Sequence, residues 1–133
     1  MSAIRAFTFK KEERVCSKTL IDKLFNGGKS HSLAAFPLRV VYMEQPSEEG
    51  KPQAQVLISV PKRCFKRAVK RNRVKRQIRE AYRQQKHILL DALEEKPTCM
   101  VVLAFIWLDA QLYSSEEVYK KVGNLLTRIR EKV

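Results

Sequence analysis

A single stretch of 25 residues, 62–86, holds twelve lysines and arginines and one acid, Glu80. It therefore carries +11 of the formal net charge of +13, and the remainder of the 133-residue chain is close to neutral. Repulsion among so many like charges destabilises a compact fold, and a bound polyanion offsets that repulsion. The stretch predicts a binding surface for nucleic acid, concentrated on one element of the fold.

No glycine or proline interrupts residues 68–93, which predicts one long helix. At about 100° per residue, Val74, Ile78 and Ala81 form an apolar stripe, with Tyr82 at its margin. The opposite side carries Asn72, Arg76, Arg79 and Arg83, with Lys75 and Lys86 on one flank. A solvated helix face normally alternates Glu with Lys, and this one has a single acid. We therefore expect the apolar side to dock on a sheet and the arginines to bind phosphates bidentately.

The flanking sequence predicts further helices and strands. Ser17 is a candidate N-cap for a short amphipathic helix that ends at Gly27 and Gly28. Strands are predicted at residues 36–43, 54–60 and 99–108, and the last is apolar enough to be buried on both faces. Ser114 and Glu117 form a capping box before a terminal helix.

This order of elements predicts an α/β chain, an α+β two-layer sandwich of order α-β-β-β-α-β-α. We expect a four-stranded mixed sheet with helices packed on it, in a single domain spanning residues 1–133. Residues 1–14 are expected to form a flexible basic arm. Residues 44–53, which contain Pro46, Gly50 and Pro52, are expected to form an exposed hairpin loop.

The residue types that commonly carry out catalysis are scattered along this sequence. His31 and His87 lie in unrelated segments, the acids occur near the ends of elements, and no glycine-rich phosphate loop is present. Cys16, Cys64 and Cys99 are widely spaced and odd in number, which favours reduced thiols over disulfides or a zinc site. The sequence predicts binding, with no catalytic residue and no metal site in the polypeptide.

Two features bear on location. The N-terminus lacks the apolar segment of a signal peptide, and the longest apolar run is about half of what a membrane span requires. We therefore expect a cytoplasmic protein with no membrane partner.

Residues 66–80, KRAVKRNRVKRQIRE, resemble the "RNR" signature of the bacterial ribonuclease P protein subunit. The resemblance extends over nearly the whole chain, from the N-terminal arm through the strand before the signature to the later buried strand. It implies the small subunit of a ribonucleoprotein that removes the 5′ leader from precursor tRNA. It also implies that the RNA subunit holds the catalytic Mg²⁺, that the protein binds no cofactor directly, and that the fold contains a left-handed β-α-β crossover.

The resemblance implies two RNA-binding surfaces and a basic arm. The surface for ribonuclease P RNA would comprise Lys66, Arg67, Lys70, Arg71, Asn72, Arg73, Lys75, Arg76, Arg79 and Arg83. The cleft for the single-stranded leader of precursor tRNA would comprise Ile21, Phe25, Phe36, Arg39, Ser59, Lys62 and Arg63. The arm would contribute Lys10, Lys11 and Arg14. Unpaired bases bind by stacking on aromatic rings in a positive groove.

Some cleft residues have two interpretations. For Phe25 and Phe36, packing in the core is an equal alternative to leader stacking. Ile21 and Arg39 stand where family members commonly carry an aromatic ring, so leader binding is expected to be weaker or more electrostatic here.

Three other functions fit a basic helix. A ribosomal or RNA-assembly protein, the main alternative, would bind structured RNA without distinguishing precursor from mature tRNA. A protein-only nuclease would need a cluster of acids. A DNA-binding regulator would need a support helix and a turn before its recognition helix, where this chain has a strand and Pro61. DNA is therefore not an expected partner.

Overall fold

The computed structural model describes residues 13–14 and 18–133. In these residues the strands are β1 (His31–Ala35), β2 (Leu38–Pro46), β3 (Ala54–Ser59) and β4 (Cys99–Trp107). The helices are α1 (Lys18–Asn26), α2 (Ala68–Gln85), α3 (His87–Glu94) and α4 (Ser115–Lys132). The predicted α+β class is confirmed. The proposed N-cap Ser17 lies outside the described residues.

The strands form one mixed sheet in the order β1-β2-β4-β3. Strand β4 pairs antiparallel with β2 and parallel with β3, so β4 is a central strand. Its alternate side chains enter two separate apolar clusters, because successive residues of a strand point to opposite faces. Leu103 and Phe105 join the cluster beneath α2, α3 and α4, whereas Val102 and Ala104 join the cluster beneath α1. The prediction that this strand is buried on both faces is confirmed.

Residues 44–53 do not form a hairpin loop, and that prediction was wrong. Strand β2 continues to Pro46, and β4 lies between β2 and β3 in the sheet. The start of this connection is held by the segment just before β4, because the hydroxyl of Ser47 donates to the carbonyl of Pro97 at 2.8 Å. Turn-forming residues define where a connection lies, but they do not determine which strands it joins.

The fourth strand, which the sequence pattern left unassigned, is β1. Its residues HSLAA contain no valine, isoleucine or threonine, so β propensity did not identify it. The strand predicted at residues 36–43 begins two residues later, at Leu38. Phe36 lies in the turn between β1 and β2, where its peptide bond to Pro37 is cis.

The single helix predicted over residues 68–93 is two helices, which break at Lys86. Together they connect β3 to the parallel strand β4. This is the expected β-α-β crossover, and its hand stays a prediction. The terminal helix begins as the capping box predicted, because Ser114 Oγ accepts a hydrogen bond from the backbone N–H of Glu117 at 3.2 Å.

Candidate nucleic-acid interface

Helix α2 docks by the apolar stripe that the sequence predicted. Val74, Ile78 and Tyr82 have no exposed surface, and Ala81 is 3% exposed. This face packs on the sheet and on α4. The predicted RNA-binding residues divide by exposure: Lys66, Arg67, Lys70, Asn72, Arg73 and Arg76 are exposed, and Arg71, Lys75, Arg79 and Arg83 are half-buried. The helix therefore presents an outward row of cations on a rigid support.

The start of α2 has an unusual electrostatic character. Arg67 is the N-cap residue in an extended conformation, and its side chain makes no capping hydrogen bond among the described residues. The first turn contains no acid. The first backbone N–H groups of a helix and the positive end of its dipole both favour an anion. Lys66 and Lys70 add positive charge at the same place, so this end of the helix suits a phosphate group.

Arg71 also has a structural contact. Its Nη1 donates to the backbone carbonyls of Phe65 and Lys66, each at 2.8 Å. The guanidinium therefore holds the loop that enters α2 against the first turn of the helix. Its other N–H donors can still contact a phosphate.

Arg83 is tied to the one acid of the helix. Its Nη2 lies 2.8 Å from Glu80 Oε2, and its Nε lies 3.2 Å from the same oxygen. The hydrogen bond from Arg83 lowers the pKa of Glu80, an effect that exceeds the opposing effect of burial. Arg83 is therefore a residue of the predicted RNA surface whose charge an acid on its own helix offsets.

Lys86 is not on the outward flank of the helix, and that prediction was wrong. Lys86 is 2% exposed, and its ammonium nitrogen lies 2.9 Å and 3.0 Å from the two carboxylate oxygens of Glu13. Arg14, which follows Glu13 in the sequence, forms an isolated parallel bridge with Val56 of β3. Glu13 and Arg14 are thus docked on the domain, so the prediction of a flexible arm is wrong for these two residues. Lys10 and Lys11 lie outside the described residues.

The opposite face of the sheet carries the residues predicted for the leader cleft. Arg39 and Ser59 both align with Ile106 of β4, so the three residues form one row across neighbouring strands. Ile21 packs on the apolar cluster of this face, next to Leu24 of α1. Arg39 Nε donates to Ser32 Oγ at 2.8 Å, which orients the guanidinium along the sheet surface.

The aromatic residues of the predicted cleft are exposed. Phe25 is 43% exposed and Phe36 is 60% exposed, so neither is a core residue. The exposed Lys62 and Arg63 follow β3 after Ser59, at the end of the sheet where the Phe36 turn lies. The sequence-predicted cleft residues therefore share one face or one end of the sheet, with polar, cationic and aromatic groups together.

Sequence reasoning missed a pocket of about 200 Å³ between α2 and α4. It is lined by Arg76, Gln77, Glu80, Ala81, Gln84, Ser115 and Tyr119. The sequence signal for this pocket was weak, because it consists only of Gln77 and Gln84, seven residues apart in a helix that is otherwise rich in arginine. Sequence reasoning also missed Glu13, since its partner is 73 residues away.

Within residues 13–14 and 18–133, no group of three or more His, Cys, Asp and Glu side chains could hold a metal ion. None of the helices in residues 18–133 is long and apolar enough to cross a membrane.

Comparison with known proteins places the chain in a family. The family model for Ribonuclease P matches residues 9–130. The ribonuclease P protein component of Porphyromonas gingivalis is 39% identical over 129 residues, covering 97% of this chain and 91% of that protein. The component of Chlorobium phaeobacteroides is 36% identical over 97 residues, covering 71% of this chain and 65% of its own length.

Solved structures show the same fold. The RNase P protein from Thermotoga maritima superimposes with a TM-score of 0.64 at 22% identity, covering 87% of this chain and 96% of that one. The RNase P protein from Staphylococcus aureus also gives 0.64, at 18% identity, with 92% and 93% covered. A four-stranded mixed sheet that supports a cationic helix defines the class: a small, basic α+β protein that binds RNA. The chain belongs to the ribonuclease P protein family, and the sequence-based identification is confirmed.

Proposed function

We propose that this protein joins two RNAs, the ribonuclease P RNA and the 5′ leader of precursor tRNA, through opposite faces of its sheet. The observation that carries the proposal is this division of surfaces. The cations of α2 lie on the side of the sheet that packs against three helices, and the row Arg39–Ile106–Ser59 lies on the side covered by α1. One small domain can therefore contact two polyanions and reduce the repulsion between them.

The ribonuclease P RNA is assigned to the α2 surface. The exposed Lys66, Arg67 and Lys70 surround the uncapped start of the helix, which suits phosphates of a structured backbone. Arg73 and Arg76 extend this surface along the helix axis. Arginine forks bind phosphate bidentately, so the surface can hold a folded RNA without reading its sequence.

The leader is assigned to the other face. A single strand gains affinity from stacking as well as from charge, and the exposed rings of Phe25 and Phe36 offer stacking surfaces. Arg39, Lys62 and Arg63 supply the positive charge, and Ser59 supplies a hydroxyl. Ile21 of α1 adds to the apolar surface on this face of the sheet.

The chemistry of cleavage is assigned to the RNA subunit. The donor set of the described residues does not suit a magnesium ion, which prefers several oxygen ligands including carboxylates. The α2 surface is rich in cations and would repel a metal ion. We therefore place Mg²⁺ with the RNA phosphates, and the protein in the roles of binding and orientation. The unpaired thiols of Cys64 and Cys99 are in keeping with a cytoplasmic location.

The test is cleavage of the 5′ leader from a precursor tRNA at low magnesium concentration, with protein alone, RNA subunit alone, and both. We expect efficient cleavage chiefly in the mixture. Cleavage by the protein alone would place the chemistry in the polypeptide. A mixture no better than RNA alone would favour the ribosomal-type binder.

A second measurement separates leader binding from general RNA binding. The protein–RNA complex should bind precursor tRNA more tightly than mature tRNA, and Phe36→Ala should reduce that preference. Leu112→Ala is a matched control, since Leu112 is an exposed apolar side chain that belongs to neither predicted set of RNA-binding residues. Equal loss of preference in both variants would contradict the assignment of Phe36.

A further inference from the structure

The pocket between α2 and α4 opens beside the cationic surface of α2. Its volume of about 200 Å³ is below the roughly 300–1,000 Å³ typical of sites for drug-sized ligands, and it suits a single planar ring system. Arg76 forms part of its lining and also belongs to the outward row of cations. An RNA strand that follows this row therefore passes the opening of the pocket.

One residue of the pocket lining, Gln77, is held firmly in place. Gln77 is 9% exposed, and its Nε2 donates to the carbonyl of Tyr113 at 2.9 Å and to Ser115 Oγ at 3.2 Å. These contacts fix the amide, and its Oε1 is buried without a hydrogen-bond partner within residues 13–14 and 18–133. The fixed amide of Gln77 therefore gives the pocket a rigid inner wall between α2 and the start of α4.

Two further groups complete the set. The carboxylate of Glu80 lines the same pocket, and its hydrogen bonds with Arg83 leave lone pairs free to accept another donor. Tyr119 lines the pocket from α4 and is 40% exposed. Its backbone carbonyl accepts from Gln85 Nε2 at 2.8 Å, which holds this turn of α4 against α2. The pocket thus combines acceptors, an aromatic side chain and an adjacent cation.

We propose that this pocket takes one unpaired nucleobase of the RNA that lies on α2, and that the base carries an exocyclic amino group. The ring stacks on Tyr119, the amino group donates to the carboxylate of Glu80, and Arg76 contacts the neighbouring phosphate. Adenine, cytosine and guanine have such an amino group, and uracil does not. The inference rests on the proposed function, since it needs an RNA on the α2 surface.

The experiment measures binding of the ribonuclease P RNA to the full-length protein and to Tyr119→Ala, Tyr119→Leu and Tyr119→Phe. Both non-aromatic variants should bind about fivefold or more weakly, and Tyr119→Phe should retain affinity because it keeps the stacking surface. Leu112→Ala, another exposed apolar side chain, should bind as the unaltered protein does. Thermal unfolding of each variant confirms that the fold is intact, and Tyr119→Leu keeps apolar packing if alanine does not.

Base-specific chemical probing of the same complexes identifies the nucleotide. One unpaired adenine, cytosine or guanine should be protected by the unaltered protein and by Tyr119→Phe, and should become reactive with Tyr119→Leu. Replacing that nucleotide by uridine should also weaken binding, because uracil lacks the amino group. Unchanged affinity and unchanged protection across the Tyr119 variants, with normal binding by the unaltered protein, would overturn this inference alone. Failure of the unaltered protein to bind the RNA would overturn the proposed function as well.

Discussion

The ammonium of Lys86 is held between the two carboxylate oxygens of Glu13, at 2.9 Å and 3.0 Å, with both side chains largely removed from solvent. The contact joins the segment that precedes α1 to the point where α2 ends and α3 begins. The break between the two helices falls at the same lysine. Glu13 and Arg14 are fixed beside the domain, where Arg14 bridges to Val56 of β3.

Removing one member of this pair should destabilise the fold strongly. Glu13→Gln and Lys86→Met should each lower the free energy of unfolding by about 3–5 kcal/mol, because each breaks a buried ion pair from one side. The double variant Glu13→Leu with Lys86→Met should be closer to the unaltered protein. Urea unfolding measures all three.

The control for that series is Lys120→Met, which breaks an exposed ion pair to Glu116 of 3.5 Å. Its expected effect is below about 1 kcal/mol, since solvent screens such pairs. Similar losses for Lys120→Met and Lys86→Met would show that the buried pair has no special role.

Arg71 and Arg73 should differ in what they contribute. Arg71→Ala removes two hydrogen bonds to the loop before α2, so it should cost about 1–3 kcal/mol of stability as well as RNA affinity. Arg73 is exposed, and Arg73→Ala should weaken RNA binding while stability changes by less than about 0.5 kcal/mol. Thermal unfolding and RNA titration of the two variants decide the matter. Equal melting temperatures would contradict a structural role for Arg71.

The salt dependence of RNA binding should report which arginines contact phosphates. The double variant Arg76→Ala with Arg79→Ala should reduce the slope of log affinity against log salt by about two, one for each lost contact. Arg83→Ala should reduce it by less than about one, because Glu80 already holds that guanidinium. Titrations across a range of potassium chloride concentrations measure the slopes. An unchanged slope in the double variant would mean that this side of α2 faces solvent in the complex.

Gly123 allows α4 to approach α2 closely. A Cβ atom at this position would contact Oε1 of Gln85, whose amide donates to the carbonyls of Ala81 and Tyr119. Gly123→Ala should therefore destabilise the protein by about 1 kcal/mol, since overpacking outweighs the gain in helix propensity. In a Gln85→Ala background the same change should be neutral or stabilising. Denaturant unfolding of the unaltered protein, the two single variants and the double variant measures the coupling. If the two changes in unfolding free energy are strictly additive, the contact is refuted.

The thiol of Cys99 should react slowly with alkylating agents. Burial, and secondarily the charge of Glu44, raises the pKa of Cys99 above its ordinary value, so less thiolate is present at a given pH. Glu44→Gln removes the second cause, and alkylation near pH 8 should become faster. Mass spectrometry of iodoacetamide-treated protein measures the rate. Glu48→Gln is the control, because Glu48 pairs with Lys51 instead; an equal acceleration there would show a general charge effect.

Patterns within short stretches of the sequence predicted three features of the fold. The apolar stripe of α2, the capping box at Ser114 and the doubly buried β4 all follow from periodicity or side-chain chemistry. The break at Lys86 could not be predicted in this way, since residues 68–93 contain no helix breaker and the carboxylate that binds Lys86 is distant in sequence. The insertion of β4 between β2 and β3 is likewise a property of the whole sheet.

The candidate site also has one part that short sequence patterns predict and another part that depends on the folded structure. The cationic side of α2 could be predicted from spacing alone, and its exposed residues agree with that prediction. The exposure of Phe36 depends on the turn at Pro37, and the alignment of Arg39 with Ser59 depends on pairing through Ile106. The pocket at Tyr119 requires two helices to be packed together, so no single segment reveals it.

The position of β4 has a consequence for the order in which the protein is made. The ribosome synthesises β2, β3 and α2 before β4, yet β2 and β3 pair only with β4 on their facing edges. Until residue 107 has left the exit tunnel, the apolar stripe of α2 has no completed sheet to pack on. The nascent chain therefore presents a strongly cationic segment, still without its tertiary support, close to ribosomal RNA. Folding dominated by such late, non-local pairing is slow compared with helical bundles, so the sheet of the nascent chain is completed only after β4 has emerged.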